Sequence, residues 1–137
     1  MVAEILKMCQ SIEPNVEYGR PQELNVKLRN EGTICIVEEI NSSSFAIDSA
    51  TVGQSFPLTV AFIESVPLQR DSELNIVAME QAQHKCERLV NSLVTSGLFR
   101  KITDGRGRKV EENEFDINAI GWSVTLTVTP MPVNTCQ

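Results

Sequence analysis

The sequence predicts an α+β fold: a two-layer sandwich in which a mixed or antiparallel β-sheet of about 4–6 strands packs against one long helix and a short N-terminal helix. Three observations carry that expectation. Residues 72–96 repeat apolar side chains at three- and four-residue steps, the period of a helix with one covered side. Residues 56–63 and 117–129 alternate large apolar side chains with small or polar ones, the period of a strand with one covered face. A helical stripe and strand faces of this length bury each other most simply as two layers. With 137 residues the chain is long enough for one domain with a core of its own and short for two, so a single domain over 1–137 is expected.

Composition narrows the function classes. Apolar residues make up 42% and charged ones 22%, values of a globular chain rather than a disordered one. No apolar run approaches the ~20 residues that span a bilayer, so no membrane role is expected. The opening MVAEILKMCQSIEP has acidic residues inside its apolar stretch and no basic region before it, unlike a signal peptide, so a cytoplasmic product is expected. Twelve basic against 18 acidic residues leave a net charge of −6. A protein built to grip phosphate backbones is ordinarily basic. An acidic surface suits protein partners, or a surface past which DNA slides without sticking.

The elements follow in order. In residues 2–12, Val2, Ile5, Leu6, Met8, Cys9 and Ile12 make a short, broadly apolar helix that Pro14 ends; it packs on the sheet or docks on a neighbouring subunit. The sheet and an arm are expected over 22–63. Leu24, Val26 and Leu28 alternate with polar residues as a half-buried strand, Thr33 to Ile40 is a β-branched second strand, and Asn30-Glu31-Gly32 would join them as a hairpin. Residues 41–55 are rich in Ser, Ala and Gly but carry Phe45, Ile47 and Val52, so the segment is either a loop or a β-arm whose apolar side chains are held by something outside the domain. Phe56, Leu58, Val60 and Phe62 define the next strand, with Pro57 near its start.

Asp71 or Ser72 caps the central helix, and Asp71 and Glu73 complement its dipole. Met79, Ala82, Cys86, Leu89, Val90, Leu93 and Val94 form its stripe, and Gly97 is placed to close it in the left-handed region. A hairpin is expected over 99–111, turning at Asp104-Gly105, followed by an acidic run at Glu111, Glu112 and Glu114. Ile120, Trp122, Val124, Leu126 and Val128 share one face of the last strand, expected under the central helix. Pro130 and Pro132 begin an extended tail over 130–137.

Candidate chemistry is sparse. Cys9, Cys35, Cys86 and Cys136 have no metal-ligand spacing, and His84, two residues from Cys86 on one helix, points elsewhere. Cys86 reads as core and His84 as surface rather than as nucleophile and base. The carboxylates Glu38, Glu39, Glu64 and Asp71 show no spacing that marks an acid/base pair. Gly105 to Lys109 lacks the glycine spacing of phosphate loops. With Arg100 and Lys101 it forms the one basic stretch on an acidic chain, either a solvated hairpin tip or a contact for an acidic neighbour or DNA. No catalytic, cofactor-binding or metal residues are expected.

The element order, with FPLTVAFIESVPL leading into EQAQHKCERLVNSLVTS and INAIGWSVTLTVT closing the chain, resembles small structural proteins of tailed phages and prophages, of the tail-terminator or head–tail connector (neck) kind, over about residues 30–129. The resemblance implies a non-enzymatic virion subunit, made in the bacterial host cytoplasm, that forms a ring with itself, a hexamer being favoured, at the head–tail junction or tail end. Its partners would be other neck or tail proteins, with DNA passing through the lumen unbound. Phe45, Ile47, Val52, Arg100, Lys101, Arg106, Arg108 and Lys109 are then the expected subunit-interface residues. The alternative is a stand-alone cytoplasmic α+β enzyme or small-ligand-binding domain with a pocket beside the sheet.

Overall fold

The computed structural model describes residues 1–20, 32–47, 52–65, 72–110 and 119–131. The expected strand around Leu24–Leu28, the turn at Asn30-Glu31, the Asp71 cap, the acidic run from Glu111 and the tail from Pro132 lie outside them. Two helices, α1 (Val2–Ile12) and α2 (Ser72–Thr95), and six strands, β1 (Val16–Gly19), β2 (Thr33–Glu38), β3 (Ser44–Ile47), β4 (Val52–Ser65), β5 (Phe99–Lys109) and β6 (Ala119–Pro130), make up the described fold. The sheet runs β1-β2-β4-β6-β5, and β3 pairs with β4 off that path. β1 and β2 are parallel and every other pair is antiparallel. The expected α+β layering is what the chain adopts.

β4 and β6 are the spine. They pair from Phe56↔Val128 to Ser65↔Ala119, and their alternation sends Leu58, Val60, Phe62, Val124, Leu126 and Val128 to one face. The buried stripe of α2, Ala82, Cys86, Leu89 and Leu93, meets that face, and Ile5 and Cys9 of α1 close the same core beside Cys35 and Val37 of β2. Val94, expected on the stripe, is 62% exposed; at ~3.6 residues per turn it lies about a third of a turn from the stripe's centre. On the other face Ile34, Ile36, Ala61, Ile63 and Val110 form a second, smaller buried cluster. There β6 and β4 come so close at Gly121 that a Cβ would strike the Phe62 carbonyl and Ile63, so only glycine fits.

One polar clamp ties the layers together. The buried Glu13 carboxylate, just past α1, accepts from the Thr33 hydroxyl of β2 at 3.1 Å and from Lys85 Nζ of α2 at 3.1 Å. α2 ends as the sequence indicates, with Gly97 at φ +75° and the Ser96 hydroxyl donating to the Leu93 carbonyl at 2.8 Å.

The sequence expectation differs from the structure at two strands. The chain does not reverse at Asp104-Gly105: β5 is continuous over Phe99–Lys109 and pairs with β6 on both sides of that dipeptide, with its register shifting between Phe99 and Lys101 and between Thr103 and Arg106. Asp104 has φ 58°, so the positive φ that Asp-Gly tolerates is used for a bulge rather than a turn. β1, a four-residue strand along β2, lies in a stretch the sequence reads as polar and irregular.

Candidate assembly surface

The open alternative at residues 41–55 resolves into an arm. β3 pairs with the first residues of β4, Ser44↔Ser55 to Ile47↔Val52, and the two strands extend the sheet beyond the helices. Residues opposite each other in an antiparallel pair share a face, so Phe45, Ile47 and Val52 continue the face that α1 and α2 cover further along β4. On the arm that face is bare: Phe45 is 60%, Ile47 77% and Val52 66% exposed.

Where the arm joins the body, two open grooves meet. One, about 490 Å³, is lined by Val52, Phe56, Pro130 and Met131, with Arg100 beside them. The other, about 340 Å³, runs along Leu98, Phe99 and the same Pro130 and Met131. Leu98 and Met131 are themselves 38% and 52% exposed. The apolar surface of the arm therefore continues onto the body. By contrast, the space between α2 and the sheet near Thr33, Glu64, Gln81 and Lys85 holds only about 20 Å³, room for little more than a water.

The five expected basic interface residues do not form one tip. Because β5 is one continuous edge strand, they are spread along it. Arg100 and Lys101 lie at the arm end, where Lys101 pairs with Thr129. Arg106 and Arg108 lie opposite Thr125 and Ser123, which puts them on the face without helices. Lys109 lies opposite Trp122 at the far end. All five are exposed. Charge along an edge strand also discourages unwanted strand addition, so this placement has a structural use apart from any contact. Of the expected interface residues, the fold brings together the arm's apolar group, Val52 with Arg100 at the groove, and Arg106 with Arg108 on the helix-free face.

A second exposed apolar group lies at the opposite end of the body, and the sequence reading missed it. Leu74, Ile76 and Val77 in the first turns of α2 are 52%, 51% and 49% exposed. They precede the clear stripe, and the signal for them was available: their positions do not fit the buried step of Ala78, Ala82 and Cys86.

The candidate nucleophile and base stay apart. Cys86 is buried and its Sγ donates to the Trp122 carbonyl at 3.5 Å, while burial pushes its thiol up to about 12. A thiol held protonated is a poor nucleophile. The neighbouring Cys35 thiol is also pushed up, by its hydrogen bond with Cys9 and by burial. His84 is exposed, with Nδ1 4.0 Å from a Glu87 carboxylate oxygen. Among the described residues no three His, Cys, Asp or Glu side chains are grouped to hold a metal, and no described helix is long and apolar enough to cross a membrane.

No protein-family model matches the chain, and no curated protein matches it in sequence. Among solved structures it is similar to a chain in the virion of a native gene transfer agent particle, with a TM-score of 0.52, 11% identity, and coverage of 94% of this chain and 90% of that one. At that identity the shared property is the fold, and it extends over nearly the whole length of both chains.

Proposed function

We propose that this chain is a non-enzymatic structural subunit of a phage-type virion that assembles into a ring at the head–tail junction or tail end, as a tail-terminator or neck component. The arm is the observation that carries the reading. A two-stranded ribbon is marginally stable in water, and this one holds Phe45, Ile47 and Val52 out on one face. Contiguous exposed apolar surface of this kind marks a protein-contact site. The fold shared with a gene transfer agent virion chain supports a virion setting.

In this reading the partners are further copies of the chain, six being the number the tail-terminator resemblance favours, together with other neck or tail proteins. The net charge of −6 suits a lumen through which DNA passes without binding. The basic residues of β5 contact acidic neighbours and set register more than affinity.

The direct test compares two variants by light scattering and negative-stain imaging. Phe45→Asp with Ile47→Asp is expected to abolish rings while leaving the far-ultraviolet circular dichroism unchanged. Reversing Arg106, Arg108 and Lys109 to Glu is expected to impair assembly with the fold intact. Intact rings from the arm variant would remove the arm from the interface, and intact rings from the triple variant would remove β5.

A further inference from the structure

We propose that the contact between ring neighbours is head to tail: the outward face of the first turns of α2 in one copy seats in the groove at the arm base of the next. This rests on the ring-forming reading and specifies which surfaces meet.

The argument begins with two exposed apolar groups that one subunit cannot bring together. The groove lies where β4 meets the arm, near Phe56 and Pro130. The first turns of α2 lie at the other end, where Ala78 lines a small cavity with Ile63, Glu64 and Ile120. Between them runs the β4–β6 ladder from Phe56↔Val128 to Ser65↔Ala119, about 30 Å at ~3.3 Å per residue. Among the described residues nothing covers either group, and a second copy would cover both.

The two surfaces match in shape and charge. Ala78 and Ala82 face the core, so at 100° per residue, about the helical step, Ile76 and Val77 fall on the outward side of α2, with Glu73 and Glu80 between them around the helix and one turn to either side along it. This is a helix face on which apolar and acidic side chains are interleaved. The groove has an apolar floor of Val52, Phe56, Pro130 and Met131, with Gln54, Thr129 and a cation, Arg100, on its lining. A helix face that offers apolar side chains to a largely apolar groove and carboxylates to a cation on its lining is a common recognition mode. The symmetric arrangements are worse. Arm against arm sets Arg100 of two copies together, and α2 against α2 does the same with Glu73 and Glu80. The unlike pairing is the complementary one, and a contact between unlike surfaces, repeated from copy to copy, makes a ring when its rotation closes.

Site-specific cross-linking tests this on the full chain. Cys9, Cys35 and Cys86 are buried; with Cys136→Ser in both preparations, one carries Val52→Cys and the other Val77→Cys. A short bismaleimide is added to each preparation alone and to their mixture, and light scattering follows the same samples. The expected result is covalent dimer in the mixture at least tenfold above either preparation alone. Glu80→Arg is further expected to weaken assembly at least tenfold, with Arg100→Glu restoring it. Dimer from Val52→Cys alone would overturn the proposal in favour of arm-to-arm contact. Assembly without 52-to-77 cross-links would overturn the docking while leaving the ring reading in place. Monomer at every concentration would remove the ring reading and the docking with it.

Discussion

β4 is one strand with two environments. From Phe56 to Phe62 its even-numbered side chains lie under α1 and α2, and Leu58, Val60 and Phe62 are almost completely buried. At its beginning the same face carries Val52, 66% exposed, paired with an equally bare Ile47. Alternation of side chains tells which face of a strand is apolar and says nothing of what covers it. On the body the cover is the chain's own helices; on the arm no described residue supplies one, and in the proposed reading another copy does. The two halves should therefore respond oppositely to substitution.

The largest effect is expected in the body. Phe62→Ala removes a fully buried ring between α2 and β6 and should cost about 4 kcal/mol of unfolding free energy, measured by urea denaturation, with any loss of assembly following from loss of fold. An intermediate effect is expected at the clamp that holds the helices over the body. Among the described residues, Lys85→Met leaves the Glu13 carboxylate with the Thr33 hydroxyl alone and should cost about 2 kcal/mol. A stability equal to wild type would mean that the clamp is replaceable by packing. The smallest effect on stability is expected on the arm, where Phe45→Asp with Ile47→Asp should change the unfolding free energy by less than about 0.5 kcal/mol per site while removing assembly. A large loss of monomer stability in that variant would contradict the contrast, because it would show the arm covered from within.

How much of this was legible in the sequence follows from which signals are local. The central helix, expected over 72–96, spans Ser72–Thr95, because its stripe is long and Gly97 closes it with a positive φ. The last strand, expected over 117–129, is described over Ala119–Pro130, since five large apolar residues in strict alternation admit few other readings. Asp104-Gly105 misled because a positive φ serves a turn and a bulge alike, and only the long-range pairing of β5 with β6 decides between them. β1 was missed because four residues, VEYG, carry too little pattern; its strand character comes from lying along β2. The arm could be posed only as an alternative to a loop, since whether Phe45 and Ile47 are covered is not a local property. The exposed Leu74, Ile76 and Val77 went unnoticed for the complementary reason: next to a strong stripe, further apolar residues look like its continuation until their angle around the helix is set against the buried positions.

The central claim is that the bare apolar surface of the arm is covered by other copies. Native mass spectrometry or light scattering of the wild-type chain across a concentration series, followed by negative-stain imaging, tests it most directly. The account predicts closed rings of fixed copy number, six on the tail-terminator resemblance, whose population rises with concentration. A monomer at every concentration, with Phe45, Ile47 and Val52 open to solvent and no ring even beside candidate neck and tail partners, would contradict it.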